Sequence, residues 1–306
     1  TAIAFRWFAQ EKVDAALIEV GMGGRLDSTN VITPLAGAIT NIDLEHTQYL
    51  GDTLEKIAFE KAGILKPGVS FVVTEERPGP LAVIEARARE TGARLLRPGR
   101  DFRFEVHGPP WSQRFTYNSP GLSLHDIPLG LAGAHQGVNA AVAVTLAELC
   151  WGAFRGLDER SIAQGLATAV WPCRMERVLE TPPVIIDVAH NVAGAKRLAE
   201  VFDECVTILA VASDKNAAGM IDMLASFSTV LILSAFDGKR ALPLPELRAA
   251  AADWPHLAAP DLGTAIRIGL EYATDKRPLL ITGSIYTAGE ARRILIDGYG
   301  APPLRF

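Results

Sequence analysis

Glu19 closes an apolar run and is followed by a glycine-rich stretch, Gly21-Met22-Gly23-Gly24-Arg25, and then by Asp27-Ser28-Thr29-Asn30. A buried parallel strand delivers an acid to the edge of its sheet in this way. The glycines permit positive φ and a close approach to a ligand, while the polar run supplies donors and acceptors. A surface turn would explain the glycines, but explains less well an acid placed at the end of an apolar run. His46, in Asn41-Ile42-Asp43-Leu44-Glu45-His46-Thr47, also follows an apolar run. A carboxylate and an imidazole meeting at one carboxyl edge could hold a divalent cation. Beside nucleotide phosphates that cation would be Mg²⁺, which takes few protein ligands and keeps several waters. On position alone His46 is more commonly a loop hydrogen-bonding residue.

Four further stretches carry candidate groups. Lys61, before Gly63, reads most simply as a cation at a helix C-terminus with glycine beyond it. Gln136 and Asn139 open a long helix, where they could read a base or ribose or could equally cap it. Arg174 follows a break at Trp171-Pro172-Cys173, and its planar fork suits a phosphate or a surface salt bridge. Asp187, in Val184-Ile185-Ile186-Asp187-Val188-Ala189-His190-Asn191, repeats the pattern of Glu19. It could orient a nucleotide hydroxyl or an amine, and His190 a phosphate or a metal-bound water. Two such placements in separate domains point to a shared cleft. Thr282-Gly283-Ser284, by itself, is a tight strand-to-helix connection.

The elements that must position these groups follow from hydrophobic period and turn signals. The first part alternates in the α/β manner: helix over 2–10, strands over 15–20 and 36–42, helix over 53–62, strand over 71–74 and helix over 79–91. Residues 97–131 change to short alternating strands with Pro and Gly turns, a small antiparallel insertion. Helices over 135–151 and 158–169 follow. Beyond the proline break come strands over 184–188, 206–212, 230–234 and 279–282, a weaker one near 256–258, and helices over 194–202, 217–226, 245–252 and 263–272. This predicts two doubly wound α/β domains, 1–172 and 173–306.

Composition narrows the chemistry. The 306 residues are 49% hydrophobic and 21% charged, ordinary for a globular protein, and carry a formal net charge of −5. That charge offers no global attraction to nucleic acid or an anionic membrane, so small-molecule chemistry is expected. Three cysteines in no CxxC arrangement predict neither a disulfide framework nor a zinc site, and fit a reducing cytoplasm. No apolar stretch reaches the roughly 20 residues of a membrane span. There is no Gly-x-x-x-x-Gly-Lys-Ser/Thr loop, and Gly21-Met22-Gly23-Gly24 is not a dinucleotide fingerprint. Thr1 opens on what reads as an amphipathic helix without a leader, which predicts a cut inside a domain.

Taken in order, the stretch 19–30, His46-Thr47 with Leu50-Gly51, Glu60-Lys61-Ala62-Gly63, His135-Gln136 with Asn139-Ala140, Pro172 with Arg174, Asp187 with Ala189-His190-Asn191, and Thr282-Gly283-Ser284 resemble the folylpolyglutamate synthase/dihydrofolate synthase family of the Mur ligase superfamily. The resemblance covers nearly the whole chain. It implies an incomplete Mur-type ATPase domain with the antiparallel insertion, then a Rossmann-like glutamate-ligase domain. It also implies ATP-dependent amide formation: a carboxylate of dihydropteroate or a folate is phosphorylated, and the amine of L-glutamate attacks the acyl phosphate. Carried over by position, Glu19 and His46 would bind Mg²⁺, and Lys61 would be carbamylated and approach the metal. Asn139, Arg174, Asp187 and His190 would contact ATP, with Lys61, Arg174 and His190 serving the chemistry. Asp27 and Ser28 would line the pterin site. A monomer with no nucleic-acid or membrane partner is expected. Cys173 stands where the family often has Gly, Met175 where an aromatic is common, and Val192 where Pro usually follows His-Asn. The family's phosphate loop would lie upstream of Thr1, roughly a hundred residues of one α/β half.

Overall fold

The computed structural model describes residues 1–303 and forms two compact units. One comprises Thr1–Gly130 with Ala134–Ala169; the other begins at Val170 and includes Leu131–Gly133. In the first, α1 (Ala2–Glu11) precedes β1 (Ala36–Ile39), α2 (Thr47–Leu50), α3 (Leu54–Ala62), β2 (Ser70–Val73), α4 (Pro78–Thr91) and β3 (Arg94–Leu96). The three strands form a parallel sheet in the order β1-β2-β3. An antiparallel meander follows: β4 (Arg103–His107), β5 (Arg114–Asn118) and β6 (Ser123–Pro128). Helices α5 (His135–Leu149) and α6 (Glu159–Thr168) complete the unit.

Side-chain alternation along β2 explains the layering. Phe71 and Val73 pack with Ile57, Leu81 and Ile84 of α3 and α4 on one face, while Val72 joins Phe115, Tyr117 and Val144 on the other. Both faces are covered, as the continuous apolar run of a parallel strand requires. Gly137 lets α5 close on the meander, since a Cβ there would stand 2.2 Å from Val106 Cγ2.

The run over 15–20 is not a strand. Ala15 to Val20 have irregular backbone, and Leu17 is 98% exposed. β1 pairs only with β2, so nothing among the described residues offers this run a ladder. Apolar composition records the capacity to pair, whereas a strand exists only where a neighbour accepts its N–H and C=O groups.

The second unit holds β7 (Glu176–Glu180), β8 (Pro183–Ile186), α7 (Val192–Ala199), β9 (Cys205–Leu209), α8 (Ala217–Ala225), β10 (Ser228–Leu233), α9 (Leu244–Ala250), β11 (Leu257–Ala258), α10 (Leu262–Tyr272), β12 (Leu279–Thr282) and α11 (Ile285–Tyr299). Its six-stranded sheet runs β11-β10-β9-β12-β8-β7, parallel except for the antiparallel edge strand β7. Val184, Ile186, Ile208 and Ile281 face α10 and α11, while Ile185, Leu209, Leu233 and Leu280 face α7, α8 and α9. This is the doubly wound, Rossmann-like arrangement expected. β7 was not anticipated, because its Glu-Arg-Val-Leu-Glu alternation buries only Val178 fully. Among the described residues no helix is long and apolar enough to cross a membrane.

Candidate functional site

In the first unit the glycine-rich stretch is folded onto the C-terminus of α3. A Cβ on Gly24 would stand 2.9 Å from the carbonyl oxygens of both Glu60 and Lys61, and one on Gly63 would stand 2.3 Å from Arg25 Cβ. Gly24 and Gly63 therefore serve a backbone-to-helix approach, while Gly23 takes the positive φ, 67°, that the sequence predicts. Arg25 N–H donates to Glu60 O at 2.8 Å, and its guanidinium pairs with the Glu60 carboxylate at 2.9 Å. Asn30 Nδ2 donates to Gly63 O at 3.1 Å, and Lys66 Nζ to Asn30 O at 2.9 Å. These bonds bring two distant motifs together and set Lys61 beside the loop. Lys61 is half-buried, and its ammonium forms no ion pair among the described residues.

Asp27 shapes this loop. Its Oδ2 accepts from Met22 N–H at 3.0 Å, and its Oδ1 from Thr29 N–H at 2.8 Å and the Thr29 hydroxyl at 2.5 Å. The bonds from Thr29, with a smaller one from Met22, hold its carboxyl below the usual range against the opposing effect of burial. Ser28 is exposed, with its hydroxyl 2.6 Å from that of Thr1.

His46 stands at the N-terminal cap position of α2 in a left-handed backbone conformation, φ 51°, without a side-chain capping bond, and is exposed. The loop leading to it is anchored by Glu75, which sequence reasoning missed. Glu75, 3% exposed, accepts from Ile42 N–H at 2.9 Å and from Arg77 N–H and Nε at 2.9 and 2.8 Å. Arg77 also donates to Ile42 O and lies 3.7 Å from Asp43. Burial alone would push the Glu75 carboxyl up, but the Arg77 and Ile42 bonds outweigh it and hold it at about 2. Glu75 lies just beyond β2 and Ile42 just beyond β1, so the pair ties two strand ends together.

The metal reading meets a sparse donor set. Among the described residues no group of three His, Cys, Asp or Glu could hold a metal. The exposed Glu19 carboxylate and His46 imidazole make no hydrogen bond or ion pair with the described residues. A carboxylate and an imidazole are donors of the kind Mg²⁺ accepts, with most of its shell left to water and phosphate, and two such groups suit a caged ion poorly.

Asn139, exposed at the fifth position of α5, donates from Nδ2 to Gln136 Oε1 at 2.9 Å. It does not cap the helix: Ala134 stands at the cap position and makes no side-chain bond.

In the second unit Asp187 is buried just beyond the end of β8. Its Oδ1 accepts from Ala189 N–H at 2.8 Å and its Oδ2 from Met175 N–H at 2.9 Å. That second bond fastens the turn carrying Arg174 to the carboxyl edge of the sheet. Arg174 is exposed and makes no ion pair among the described residues, so the salt-bridge alternative finds no partner. His190 is exposed, with Nδ1 3.2 Å from Val188 O. Because a carbonyl can only accept, Nδ1 carries the proton in that bond and Nε2 is left for a ligand. Asn191 caps α7, accepting from Gly194 N–H at 2.7 Å, and Val192 takes the first helical position, where proline is also at home. Gly283, φ 124°, donates to Ala189 O at 3.0 Å; a Cβ there would stand 2.2 Å from Ala210 O. The strand-to-helix connection is thus tied to the Asp187 loop.

Residues 3–147 match the family model "Mur ligase middle domain", and residues 173–285 match "Mur ligase, glutamate ligase domain". The folylpolyglutamate synthase of Lacticaseibacillus casei is 36% identical, over 97% of this chain and 71% of that protein. The dihydrofolate synthase/folylpolyglutamate synthase of Bacillus subtilis is 33% identical, over 96% of this chain and 71% of that protein. Among solved structures, Mycobacterium tuberculosis folylpolyglutamate synthase complexed with ADP and AMPPCP superposes with a TM-score of 0.88 at 32% identity, covering 99% of this chain and 72% of that one. The two matched domains define the class as Mur ligase. Within it the chain belongs to the folylpolyglutamate synthase/dihydrofolate synthase family.

Proposed function

We propose that this chain acts in an ATP-dependent ligase that joins L-glutamate to dihydropteroate, to folyl-glutamates, or to both, through an acyl phosphate. The observation that carries this is the Asp187 bridge. One buried carboxylate fixes the turn of Arg174 and the loop of His190 at the carboxyl edge of a doubly wound sheet, where such sheets bind ligands.

Arg174, with its free fork, takes a phosphate of ATP. His190 offers Nε2 to a phosphate or to the proton leaving the glutamate amine. Asp187 serves the nucleotide through the two backbone segments it fixes. Asn139 presents its amide oxygen to the base or ribose. Glu19 and His46 would hold Mg²⁺, which would supply charge neutralisation for the transferring phosphoryl group. Lys61, unpaired at the end of α3, would first lose its ammonium proton to water; the neutral amine would then add to CO₂ with release of a second proton, giving an anionic carbamate whose oxygens could serve as further donors to Mg²⁺. Ser28 contacts the pterin, and Asp27 keeps the loop in shape for it. The protein works as a monomer in the cytoplasm, and the working domains divide at 172/173.

The 306 residues contain no phosphate-cradling loop of the Gly-Lys-Ser/Thr type. That favours a chain which, taken by itself, binds nucleotide without turning it over. Calorimetric titration with ADP and AMPPCP is expected to show saturable binding that Arg174→Ala weakens about tenfold. Absence of binding to either nucleotide sinks the proposal. Glutamate-dependent ADP release from these residues alone would remove the inactive reading and leave the ligase.

A further inference from the structure

The turn bearing Arg174 has a backbone that needs holding. Cys173 and Met175, the residues on either side, have φ of 59° and 48°. Left-handed backbone crowds the Cβ of any residue but glycine, and non-glycine residues persist there only when their surroundings over-determine them. Both side chains are buried, Cys173 to 9% and Met175 to 2% exposure, while Arg174 between them is exposed. The turn inserts its flanks into the second unit and presents its centre.

Two carboxylates fix it. Asp187 accepts from Met175 N–H, and Glu176 Oε2 accepts from Cys173 N–H at 2.8 Å. Glu176 is itself locked by Arg292 of α11: Nη2 donates to Oε1 at 2.6 Å, and Nε reaches Oε1 and Oε2 at 3.2 and 3.1 Å. The Arg292 side chain is 6% exposed and that of Glu176 is 18% exposed. Arg292 Nη1 also donates to Pro302 O at 3.1 Å, so the orientation of the fork is set from two directions.

For the attraction of the two charges alone, an apolar pair of similar volume is often as stable, because burying two charges costs about what their attraction returns. What the ion pair supplies instead is direction: it aims one carboxylate oxygen at one backbone N–H. We propose that Glu176, locked by Arg292, is a positioning residue for Arg174. It holds Cys173 in the glycine-like conformation that turns the Arg174 guanidinium outward before any ligand arrives. This rests on the reading of Arg174 as a phosphate-binding residue. A side chain presented from a turn with one backbone setting has less freedom to lose on meeting an anion.

The test is titration with ADP in the presence of Mg²⁺, together with hydrogen exchange at the Cys173 amide. Arg174→Ala is expected to weaken ADP about tenfold; unchanged affinity would overturn the phosphate reading itself. The double substitution Glu176→Met/Arg292→Met keeps the volume. It is expected to speed exchange at Cys173 while β8 stays protected, and to weaken ADP roughly three- to tenfold through loss of preorganisation. Adding Cys173→Gly to that double variant is expected to restore affinity to within about twofold, because glycine adopts positive φ without a clamp. If Arg174→Ala weakens ADP but the methionine pair binds like the parent, the positioning role is wrong. Weakening that Cys173→Gly does not restore also overturns it, since the pair then acts through stability. Should the methionine pair fail to fold, Glu176→Leu/Arg292→Leu with and without Cys173→Gly gives the same comparison.

Discussion

At the residue scale, the proposed chemistry rests on side chains left uncommitted by their neighbours. Lys61 is one, and its proposed carbamylation can be tested without turnover. Carbon-13-labelled bicarbonate is expected to give a carbamate resonance in the parent protein and none in Lys61→Ala with its fold retained; the same spectrum from both would dismiss the carbamate. Glu75 is the opposite case, a buried acid whose oxygens are fully engaged. Its carboxyl lies at about 2 in the folded protein against an ordinary 4.5. A depressed folded value means stability that is present above pH 4.5 and lost as pH falls towards 2. Linkage puts the contribution at about 3 kcal/mol at neutral pH. Urea titrations of Glu75→Gln are expected to show lower stability at pH 7 and a shallower acid decline between those limits, and an acid decline as steep as the parent's would contradict the assignment. Nothing in Thr-Glu-Glu-Arg-Pro marks Glu75 as buried, because only the proximity of two strand ends makes it so.

At the element scale, the glycines of the first stretch were legible as necessary. The sequence suggested positive φ and an approach to a ligand; Gly23 does take φ 67°, and Gly24 in addition makes room for the carbonyls at the end of α3. Gly24→Ala is therefore expected to shift that helix end and cost about 1–3 kcal/mol by denaturant unfolding; a neutral result would mean the loop docks elsewhere. In the second unit the Asn191 cap lies beside His190. Asn191→Ala is expected to cost about 1 kcal/mol, measured as a fall in midpoint with the denaturant slope unchanged. α2 and β3 had no counterpart among the expected elements and α11 was given no range, but most helices and the buried parallel strands were readable from their periods and runs. The edge strand β7 was not, since half-exposed alternation in a Glu- and Arg-bearing segment looks like loop, and neither was the fate of residues 15–20.

At the scale of the molecule, a net charge of −5 offers an anionic nucleotide no global attraction, so the proposed binding would fall to local groups such as Arg174. ADP that binds only the folded protein should raise the unfolding midpoint with concentration, reaching about 2.7 kcal/mol at a hundred times its dissociation constant. That gain is expected to shrink in Arg174→Ala and at high salt; a midpoint insensitive to ADP would exclude a folded-state nucleotide site.

The sequence by itself determined the α/β class, the doubly wound second unit, the family, and the polar residues placed at the ends of apolar runs. These follow from local period, turn chemistry and short motifs, which act over a few residues. The tertiary structure alone decided that Gly24 serves a helix end, that residues 15–20 have no ladder, and that Asp187 holds the turn of Arg174. It also decided that Arg292 reaches Glu176 across 116 positions of chain. Such contacts depend on which distant segments meet, and no local pattern encodes the partner.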